Sequence, residues 1–551
     1  MRRIAWDLEQ VRAARRRVSL ARRRSPVKAP TGRAGDLALV IVLDGLRPDS
    51  INPRDTPNLF RLREEGVNFT HSHAVFPTGT RVNAAAIATG AYPATNGFVS
   101  NALYLPELDP RHSLDTQKYE NLLQVEQAQG GRLLLTDSLG EILDKGGMRY
   151  AAVAAMSTGG SLLLNHRAAS GTGVLVNGTL KPGSRVAYPD DVNRDIIDRF
   201  GLAPPKAGHW AGRCALVDWT ERVLMEFVIP ELEPDVVINW VGEPDHSQHA
   251  YGVGSPQARR AMRNVDRNIG YILRRLDSLG LRDRTNLFVI SDHGVTRFSH
   301  SIEVSRELIA AGLKAGMDSD DIVVADNGPC ALLYVKGRNP ERIQALVSWL
   351  HSREWAGVLF TAGNGPRERQ DEPANSSRQG DGVDPHGWVE GTFSLELIHQ
   401  LNRDRHCDVL LTFPWSSAQN EFGVPGADVT TVRRGHPMHS GHGSMSPWAI
   451  RNTLIAYGPA FKRATTIRVP VGHVDLVPTI LFLKNVNGSA CKDGRVVSEA
   501  LRQGPDEEQV AMDTRTFITT SPDNAYKAAI QISQVGHHRY IDKGWRLAGD
   551  G

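Results

Sequence analysis

The sequence has few cysteines, and their spacing excludes two kinds of site. Only four occur among 551 residues, at Cys214, Cys330, Cys407 and Cys491, and no two are close enough to form a CxxC pair. A disulfide scaffold needs more cysteines in a shorter chain, and a cysteine-zinc site needs closely spaced pairs. Both are therefore excluded. The low cysteine content mildly favours a reducing compartment, without excluding export.

Long apolar runs are also missing. The run "LALVIVLDGL", from residue 37 to residue 46, is too short to cross a bilayer, which takes about 20 residues, and it is typical of a buried strand. We therefore predict no transmembrane segment. The N-terminal stretch lacks the apolar core of a signal peptide, which slightly favours the cytoplasm, while the compartment itself stays unknown.

The net charge is only +3, but it is unevenly distributed. Residues 1–33 contain eleven Lys or Arg and two acids, a net charge of +9, which leaves 53 basic and 59 acidic residues, or −6, for the remainder. The remainder therefore gives no indication of a nucleic-acid-binding domain. We expect residues 1–33 to be flexible or helical. Their apolar residues recur at helical spacing, which leaves open a weak contact with an anionic membrane surface.

Short β-branched runs alternate with helical patterns along most of the chain. Four of the runs end in an acid or a glycine: "LALVIVLDG", "PDVVINWVGEPD", "TNLFVISDHG" and "RNTLIAYGP". Amphipathic helical patterns such as "SPQARRAMRNVDRNIGYILRRLDSLG" lie between them. This alternation predicts an α/β fold with a mostly parallel central sheet and helices on both faces. Ligands bind such sheets beyond the carboxyl ends of the strands.

The pattern changes between residues 301 and 435, where the segment "GNGPRERQDEPANSSRQGDGVDPHG" is rich in glycine, proline and charge. We predict an inserted cap subdomain there. Residues 34–300 and 436–485 would form the two parts of a catalytic core, and residues 486–551 a C-terminal extension. Within the first part, the alanine-rich run that begins at Asn83 in "FPTGTRVNAAAIATG" predicts a short helix entered through a polar turn.

Acids and histidines follow the predicted strands. They are three carboxylates and three imidazoles: Asp44, Asp245, His249, Asp292, His293 and His442. Imidazole and carboxylate without thiolate suit zinc or manganese. Six ligands are too many for one catalytic zinc but suffice for two metals, which can clamp an in-line displacement at phosphorus. His436 and His439, close to His442, are interpreted as structural or supporting residues.

The ordered set of motifs resembles the alkaline phosphatase superfamily, and within it the nucleotide pyrophosphatase/phosphodiesterase branch. The segment "FPTGTRVNAAAIATGAYPATNG" is similar to the nucleophile segment of that branch, and "EPDHSQHAYG" to its EPD-x-x-x-H metal segment. "SDHG" and "HGSMSPWAIRNTLIAYGPAFK" resemble the remaining metal segments. The resemblance extends over roughly residues 37–480 and is densest at these four motifs.

The resemblance implies an alkaline phosphatase-like fold and two divalent metal ions, with Zn²⁺ expected and Mn²⁺ as the alternative. One ion would be held by Asp44, Asp292 and His293, together with Thr80, and the other by Asp245, His249 and His442. Thr80 would be the nucleophile that forms a phosphothreonine. Asn101, in "FVSNALY", would donate to a phosphoryl oxygen. The substrate would be a small-molecule phosphate diester or another phosphoryl compound.

The sequence departs from the branch beside the nucleophile. The branch usually has an aromatic residue there, and this chain has Arg81, whose guanidinium could instead bind a second anionic group of the substrate. Trp240 lies where the branch often has a second aromatic wall. It would either stack on a base or aryl group of the substrate or belong to the core at the strand end.

Several other functions remain open at this point. A phosphonoacetate-hydrolase-like C–P hydrolase or a phosphomonoesterase would use the same metals and threonine. A sulfatase is disfavoured, because the nucleophile segment lacks the Cys/Ser-x-Pro-x-Arg pattern. A catalytically inactive metal-binding scaffold is disfavoured because every metal-binding and nucleophile position is filled.

Overall fold

The computed structural model describes residues 37–181, 183–205, 210–363, 383–431, 438–486 and 493–547. The basic segment 1–33, most of the glycine- and charge-rich loop, His436 and Cys491 therefore lie outside the described residues. The membrane contact considered for residues 1–33 stays a prediction. No helix of the described ranges is long and apolar enough to cross a membrane.

A nine-stranded sheet lies at the centre of the fold. In spatial order its strands are Thr465–Ile467, Val67–Phe69, Leu454–Tyr457, Thr285–Ile290, Leu37–Leu43, Val236–Val241, Tyr150–Ala155, Val174–Lys181 and Arg185–Tyr188. Only Leu454–Tyr457 and Arg185–Tyr188 run against the other strands of this sheet. The predicted fold class, an α/β fold with a mostly parallel central sheet, is confirmed.

The strand Leu37–Leu43 shows why the sheet is buried on both faces. Its side chains alternate between two apolar clusters, with Val40 and Val42 in one and Leu39 and Ile41 in the other. Period-2 alternation places successive side chains on opposite faces, and helices cover both. This strand pairs in parallel with Val236–Val241 and Thr285–Ile290, so the carboxyl ends of all three meet at one edge.

Helices surround the sheet and connect its strands. The α-helices of the described residues are Pro57–Glu65, Thr80–Thr89, Pro93–Asn96, Tyr119–Ala128, Leu139–Lys145, Thr158–Leu164, Asp190–Phe200, Trp210–Val223, Ile229–Leu232, Asp245–Tyr251, Pro256–Ser278, Val304–Ala310, Pro340–His351, Pro447–Ile450 and Leu476–Leu483. The alanine-rich helix begins at Thr80, three residues before the predicted start at Asn83, because Gly79 is its N-cap. Thr80 and Arg81 therefore belong to the first helical turn.

Further sheets lie around the central one. A five-stranded sheet within the region 301–435 contains, in spatial order, Ile322–Asp326, Cys330–Val335, Val409–Thr412, Leu359–Thr361 and Phe393–Ser394. A four-stranded sheet contains Trp415–Gln419, Pro425–Thr431, Thr296–Ile302 and Ser440–Gly441. Two short pairs join Ser72–His73 to Val471–Gly472 and Ala102–Leu103 to Leu114–Asp115. The domain boundaries drawn from the sequence stay predictions.

The C-terminal region forms an antiparallel sheet of the strands Met512–Thr520, Lys527–Val535 and His538–Arg546. Two of the hydrogen bonds that attach it to the rest of the fold are made by Tyr526 and Trp415. The Tyr526 hydroxyl donates to the carbonyl oxygen of Gly357 at 2.7 Å, and the Trp415 indole donates to the carbonyl oxygen of Gly544 at 2.6 Å. Because Tyr526 is fully buried, its hydroxyl cannot exchange this partner for water.

We expect Tyr526→Phe to lower the free energy of unfolding by about 1–2 kcal/mol, because a buried carbonyl oxygen loses a hydrogen-bond donor. Urea denaturation followed by circular dichroism measures this difference. The matched control is Tyr271→Phe, since the Tyr271 hydroxyl donates to the carboxylate of Glu226 in a partly exposed position. The control should change stability by less than about 0.5 kcal/mol. Equal effects of the two changes would contradict the importance of the Tyr526 contact.

Candidate functional site

Three side chains at the carboxyl ends of the neighbouring strands Leu37–Leu43 and Thr285–Ile290 form the first polar group of the site. Asp44 follows one strand, and Asp292 and His293 follow the other shortly after its last residue. The His293 Nε2 atom lies 3.0 Å from Asp292 Oδ2 and 3.5 Å from Asp44 Oδ1. One ligand atom from each residue falls within 4.8 Å of the others, so the three could hold one metal ion.

The second polar group consists of Asp245, His249 and His442. Asp245 opens the helix Asp245–Tyr251, which places His249 one turn later on the same face. The His249 Nε2 atom lies 3.0 Å from Asp245 Oδ2, and the His442 Nε2 atom lies 3.9 Å from Asp245 Oδ1. These three residues also bring one ligand atom each within 4.8 Å of one another.

The two groups adjoin through their imidazoles. The rings of His293 and His442 stack with their centroids 3.5 Å apart and their planes 18° apart. The structure therefore brings together in one place all six acids and histidines that the sequence predicted as metal ligands.

Each of the three histidines is oriented by its other ring nitrogen. Nδ1 of His249 lies 2.6 Å from the carbonyl oxygen of Ser440, Nδ1 of His442 lies 2.7 Å from that of Thr78, and Nδ1 of His293 lies 3.0 Å from that of Gly294. A carbonyl oxygen only accepts, so each Nδ1 carries the proton as donor. The Nε2 atoms are then available as metal ligands, an arrangement typical of metal-binding histidines.

The carboxylates also suit a cation. One oxygen of each has no hydrogen-bond partner within the described part of the chain, although all three are buried: Asp44 Oδ1, Asp245 Oδ1 and Asp292 Oδ2. Burial raises the pKa of Asp44 well above its ordinary value, and the neighbouring carboxylates of Asp292 and Asp245 raise it further. A buried anion without a partner is costly. Divalent cations would satisfy these oxygens and relieve the repulsion, so the residues fit a metal site.

The histidine pKa values reflect the same crowding. Burial lowers the pKa of His293, but the Asp292 and Asp245 carboxylates more than offset this and raise it overall. Burial lowers the pKa of His442 well below its ordinary value, and the nearby His293 ring lowers it further. The two stacked imidazoles therefore differ in their tendency to bind a proton, because only His293 has a carboxylate at 3.0 Å.

Thr80 lies beside the first polar group. Its Oγ1 atom is 3.3 Å from His293 Nε2, at the N-terminal end of the helix Thr80–Thr89. Asn101 accepts a hydrogen bond at Oδ1 from the backbone N–H of Arg81 at 3.0 Å, so the donor end of its amide is the NH₂ group. A Cβ atom at Gly79 would lie only 2.8 Å from Asn101 Nδ2, so Asn101 packs against the backbone directly before Thr80 in space that a larger residue at position 79 would occupy.

The structure places Trp240 differently from the stacking wall considered for it. Its side chain is 0% exposed, and its Nε1–H donates to Asp44 Oδ2 at 3.2 Å. A fully buried ring offers no face to a base, so the stacking interpretation is corrected, and the alternative of a core residue at the strand end describes this geometry. Arg81 is 8% exposed, and its Nε lies 3.4 Å from Thr116 Oγ1.

Sequence reasoning missed Gly45. Its φ is +68°, its N–H donates to Asp292 Oδ1 at 3.0 Å, and a Cβ there would lie 2.9 Å from the Cβ of Asp245. Only glycine tolerates both this backbone conformation and the close approach. The "LDG" pattern was the available signal. Asn452 and His473, which lie behind the site, carried no such signal.

Comparisons with known proteins identify the family of the chain. The family model described as type I phosphodiesterase / nucleotide pyrophosphatase matches residues 38–355, more than half of the chain. The chain belongs to this family. Its members are phosphodiesterases and pyrophosphatases, and the described part of this chain has the two candidate metal-binding groups given above. The resemblance predicted from the sequence motifs is thereby confirmed.

Relatives in the family match about half of the chain. The mouse ectonucleotide pyrophosphatase/phosphodiesterase family member 1 is 26% identical over 264 residues, 47% of this chain and 24% of that protein. The human family member 7 is 26% identical over 262 residues, 47% of each chain. Venom phosphodiesterase 2 of Crotalus adamanteus is 24% identical over 275 residues, 49% of this chain and 28% of that protein. The chain thus covers between a quarter and a half of these relatives.

A solved structure of the family shares the fold. Murine ectonucleotide pyrophosphatase/phosphodiesterase 5, as an inactive threonine-to-alanine variant in complex with AMP, matches with a TM-score of 0.55 and 18% identity. The match covers 85% of this chain and all of that one.

We expect Trp240→Phe to weaken metal binding by about 10-fold or more, because Asp44 loses the hydrogen bond that orients it. Competition with a chelator, followed by the metal content per chain, measures this change. The matched control is Trp219→Phe, since Trp219 is also buried but its Nε1 has no hydrogen-bond partner among the described residues. Unchanged affinity in the Trp240 variant would show that the indole does not orient Asp44.

Proposed function

We propose that the protein is a two-metal phosphodiesterase or nucleotide pyrophosphatase that acts through a phosphothreonine at Thr80. One observation carries this proposal. The Thr80 hydroxyl lies 3.3 Å from a nitrogen of the first metal-binding group, at the N-terminal end of a helix. That position combines a nucleophile, a cation site and the positive end of a helix dipole, and phosphoryl transfer uses all three.

The donor set fits two divalent ions. Asp44, Asp292 and His293, joined by Thr80, would hold one, and Asp245, His249 and His442 would hold the other. Their nitrogen and oxygen donors without sulfur suit Zn²⁺, with Mn²⁺ as the alternative. Bound there, the metals would lower the pKa of the Thr80 hydroxyl and neutralise charge on the phosphoryl and leaving oxygens.

The chain's own residues then account for orientation. The Thr80 hydroxyl gives up its proton to solvent and Oγ1 attacks phosphorus. The new bond to phosphorus forms as the bond to the leaving oxygen breaks, and the departing oxyanion takes up a proton from solvent. The NH₂ group of Asn101 is held beside Thr80 and donates to a non-bridging phosphoryl oxygen. Water then cleaves the phosphothreonine, which restores the Thr80 hydroxyl and releases the monoester.

The substrate class depends most on Arg81, which follows the nucleophile in the first helical turn. A guanidinium there favours a substrate with a second anionic group. A nucleoside diphosphate or triphosphate has such a group, and so has phosphonoacetate, which keeps a C–P hydrolase as the second candidate function. A phosphomonoesterase is a further alternative on the same residues. The inactive scaffold is disfavoured, since the structure brings all six ligands and Thr80 together.

We expect Thr80→Ala to reduce hydrolysis of bis-p-nitrophenyl phosphate by at least about 10³-fold, because the nucleophile is lost. The metal content should stay near two per chain, since six other ligands remain. Thr89→Ala is the matched control, because Thr89 ends the same helix and its hydroxyl donates to the carbonyl oxygen of Ala85. Normal turnover in the Thr80 variant would refute its assignment as nucleophile.

A substrate panel tests the role of Arg81. The panel contains bis-p-nitrophenyl phosphate, a p-nitrophenyl monoester, a p-nitrophenyl sulfate, ATP and phosphonoacetate. We expect Arg81→Leu to raise KM by about 10-fold or more for the preferred substrate with a second anionic group. Its activity on bis-p-nitrophenyl phosphate, which has a single anionic group, should change little. An equal loss on every substrate would argue against recognition of a second anion.

A further inference from the structure

A chain of hydrogen-bonding side chains lies behind the candidate site. His473 is buried in the short helical turn His473–Asp475, with its Nδ1 atom 2.7 Å from Asn83 Oδ1. On its other side, Nε2 contacts Asn452 Nδ2 and also lies 2.8 Å from the carbonyl oxygen of Ser291. The same Asn452 nitrogen lies 2.6 Å from the carbonyl oxygen of Ser291.

The direction of each hydrogen bond follows from the Asn83 amide. Its Oδ1 accepts from the backbone N–H of Val75 at 2.7 Å, and its Nδ2 donates to the carbonyl oxygens of Val75 and Gly79. This fixes Oδ1 as an acceptor, so Nδ1 of His473 must be the donor. Burial lowers the pKa of His473 to about 4, which keeps the ring neutral at pH 7. With its single proton on Nδ1, the ring accepts from Asn452 at Nε2, and the Ser291 carbonyl oxygen 2.8 Å away shares the same Asn452 donor group rather than accepting from the ring.

Asn452 completes the chain. Its NH₂ group has two hydrogens, and it lies within reach of two acceptors, His473 Nε2 and the Ser291 carbonyl oxygen. One hydrogen goes to each. The resulting relay runs without a break from the Asn83 oxygen, through the imidazole and the Asn452 amide, to the Ser291 backbone.

The two ends of the relay lie next to the reacting groups. Asn83 stands three residues after Thr80 on the same helical turn, and Ser291 directly precedes the ligand Asp292. The Ser291 hydroxyl continues the network by donating to the carbonyl oxygen of Leu46 at 2.7 Å, two residues beyond Asp44. The relay therefore spans the gap between the nucleophile helix and the loops that hold the first metal-binding group.

We propose that His473 is a positioning residue, which fixes the Thr80 helix relative to the Asp292–His293 loop through this relay. The proposal rests on the function proposed above for Thr80. Its chemistry is that of a one-donor, one-acceptor bridge: the ring gives one hydrogen bond to the helix side and takes one from the loop side. A displacement of about 1 Å between nucleophile and metal ligands can cost about 10²-fold in rate.

The turn that carries His473 is itself anchored by the C-terminal part of the chain. Asp475, at the end of the same turn, accepts hydrogen bonds from the Tyr540 hydroxyl and from the backbone N–H of Arg495, both at 2.8 Å. Tyr540 belongs to the strand His538–Arg546. These anchors and His473 lie outside residues 38–355, the part matched by the family model.

A pair of substitutions at His473 tests the proposal. His473→Leu replaces the imidazole with an apolar side chain of similar size and so removes both hydrogen bonds. We expect kcat on bis-p-nitrophenyl phosphate to fall about 10–100-fold with KM nearly unchanged. In His473→Gln, the amide supplies one donor and one acceptor, so most of kcat should return. A general loss of packing would not be rescued by this difference in hydrogen bonding. Equal kcat in the two variants would overturn the proposal.

Control measurements separate positioning from folding and from the proposed function itself. His399→Leu removes another imidazole, which is partly buried and stacks on Tyr92, and it should alter stability without lowering kcat. Metal content near two per chain must persist in both His473 variants. If the wild-type protein hydrolyses no member of the substrate panel, the proposed function fails. If it is active and His473→Leu matches it, only the positioning role fails.

A readout that needs no turnover covers the case in which the leucine variant does not fold. Nuclear magnetic resonance of ¹⁵N-histidine-labelled wild-type protein distinguishes the two neutral tautomers, and loss of one signal in His473→Gln assigns it. The relay requires a neutral ring with its proton on Nδ1. A ring protonated on Nε2, or on both nitrogens, at pH 7 would overturn the inferred direction of the relay.

Discussion

Mutual repulsion among three buried carboxylates is the constraint on which the rest of the site depends. Asp44, Asp245 and Asp292 lie together beyond the carboxyl edge of the sheet, and each has one oxygen without a hydrogen-bond partner among the described residues. Such a cluster is unfavourable unless cations or protons neutralise it. The surrounding structure therefore has to hold the carboxylates in place against a force that pushes them apart.

The fold provides that resistance through neutral hydrogen-bond partners rather than through further charges. Asp44 is held by the Trp240 indole, Asp292 by the N–H of Gly45, and the three imidazoles by carbonyl oxygens. These partners are neutral, so they orient the ligands without competing for the cation. A buried positive side chain in their place would have stabilised the protein without metal and weakened its affinity for metal.

Much of the fold and the composition of the site could be predicted from the sequence. The buried strands are continuous apolar runs that end in acids, and parallel strands bring those ends to one edge, so the expected gathering of Asp44, Asp245 and Asp292 is what the structure has. The roles of Thr80, Asn101 and Arg81 in catalysis stay predictions. The predicted start of the helix Thr80–Thr89 was three residues too late, because helix propensity identifies the alanines but not Gly79 as the N-cap.

Other features depend on contacts that no local pattern encodes. Whether Trp240 faces a substrate or the interior depends on the register of its strand against Leu37–Leu43. The local sequence is compatible with either orientation of the side chain. Asn83 and His473 are 390 residues apart in the chain. The segment "VGHVDL" does not indicate whether its histidine hydrogen-bonds to an asparagine or to water. Long-range polar contacts of this kind arise only once the whole chain has folded.

The chain order of these contacts has a consequence for biosynthesis. The strand Leu37–Leu43 is synthesised early, yet its partner strands begin at residues 236 and 285. Gly45 and its hydrogen-bond partner Asp292 are 247 residues apart in the chain. At roughly 5–20 residues per second, a ribosome needs about 10–50 s to cover that interval. During synthesis this apolar strand has no partner until residues 236–241 are made, and both of its neighbours are present only after more than half of the chain has been synthesised.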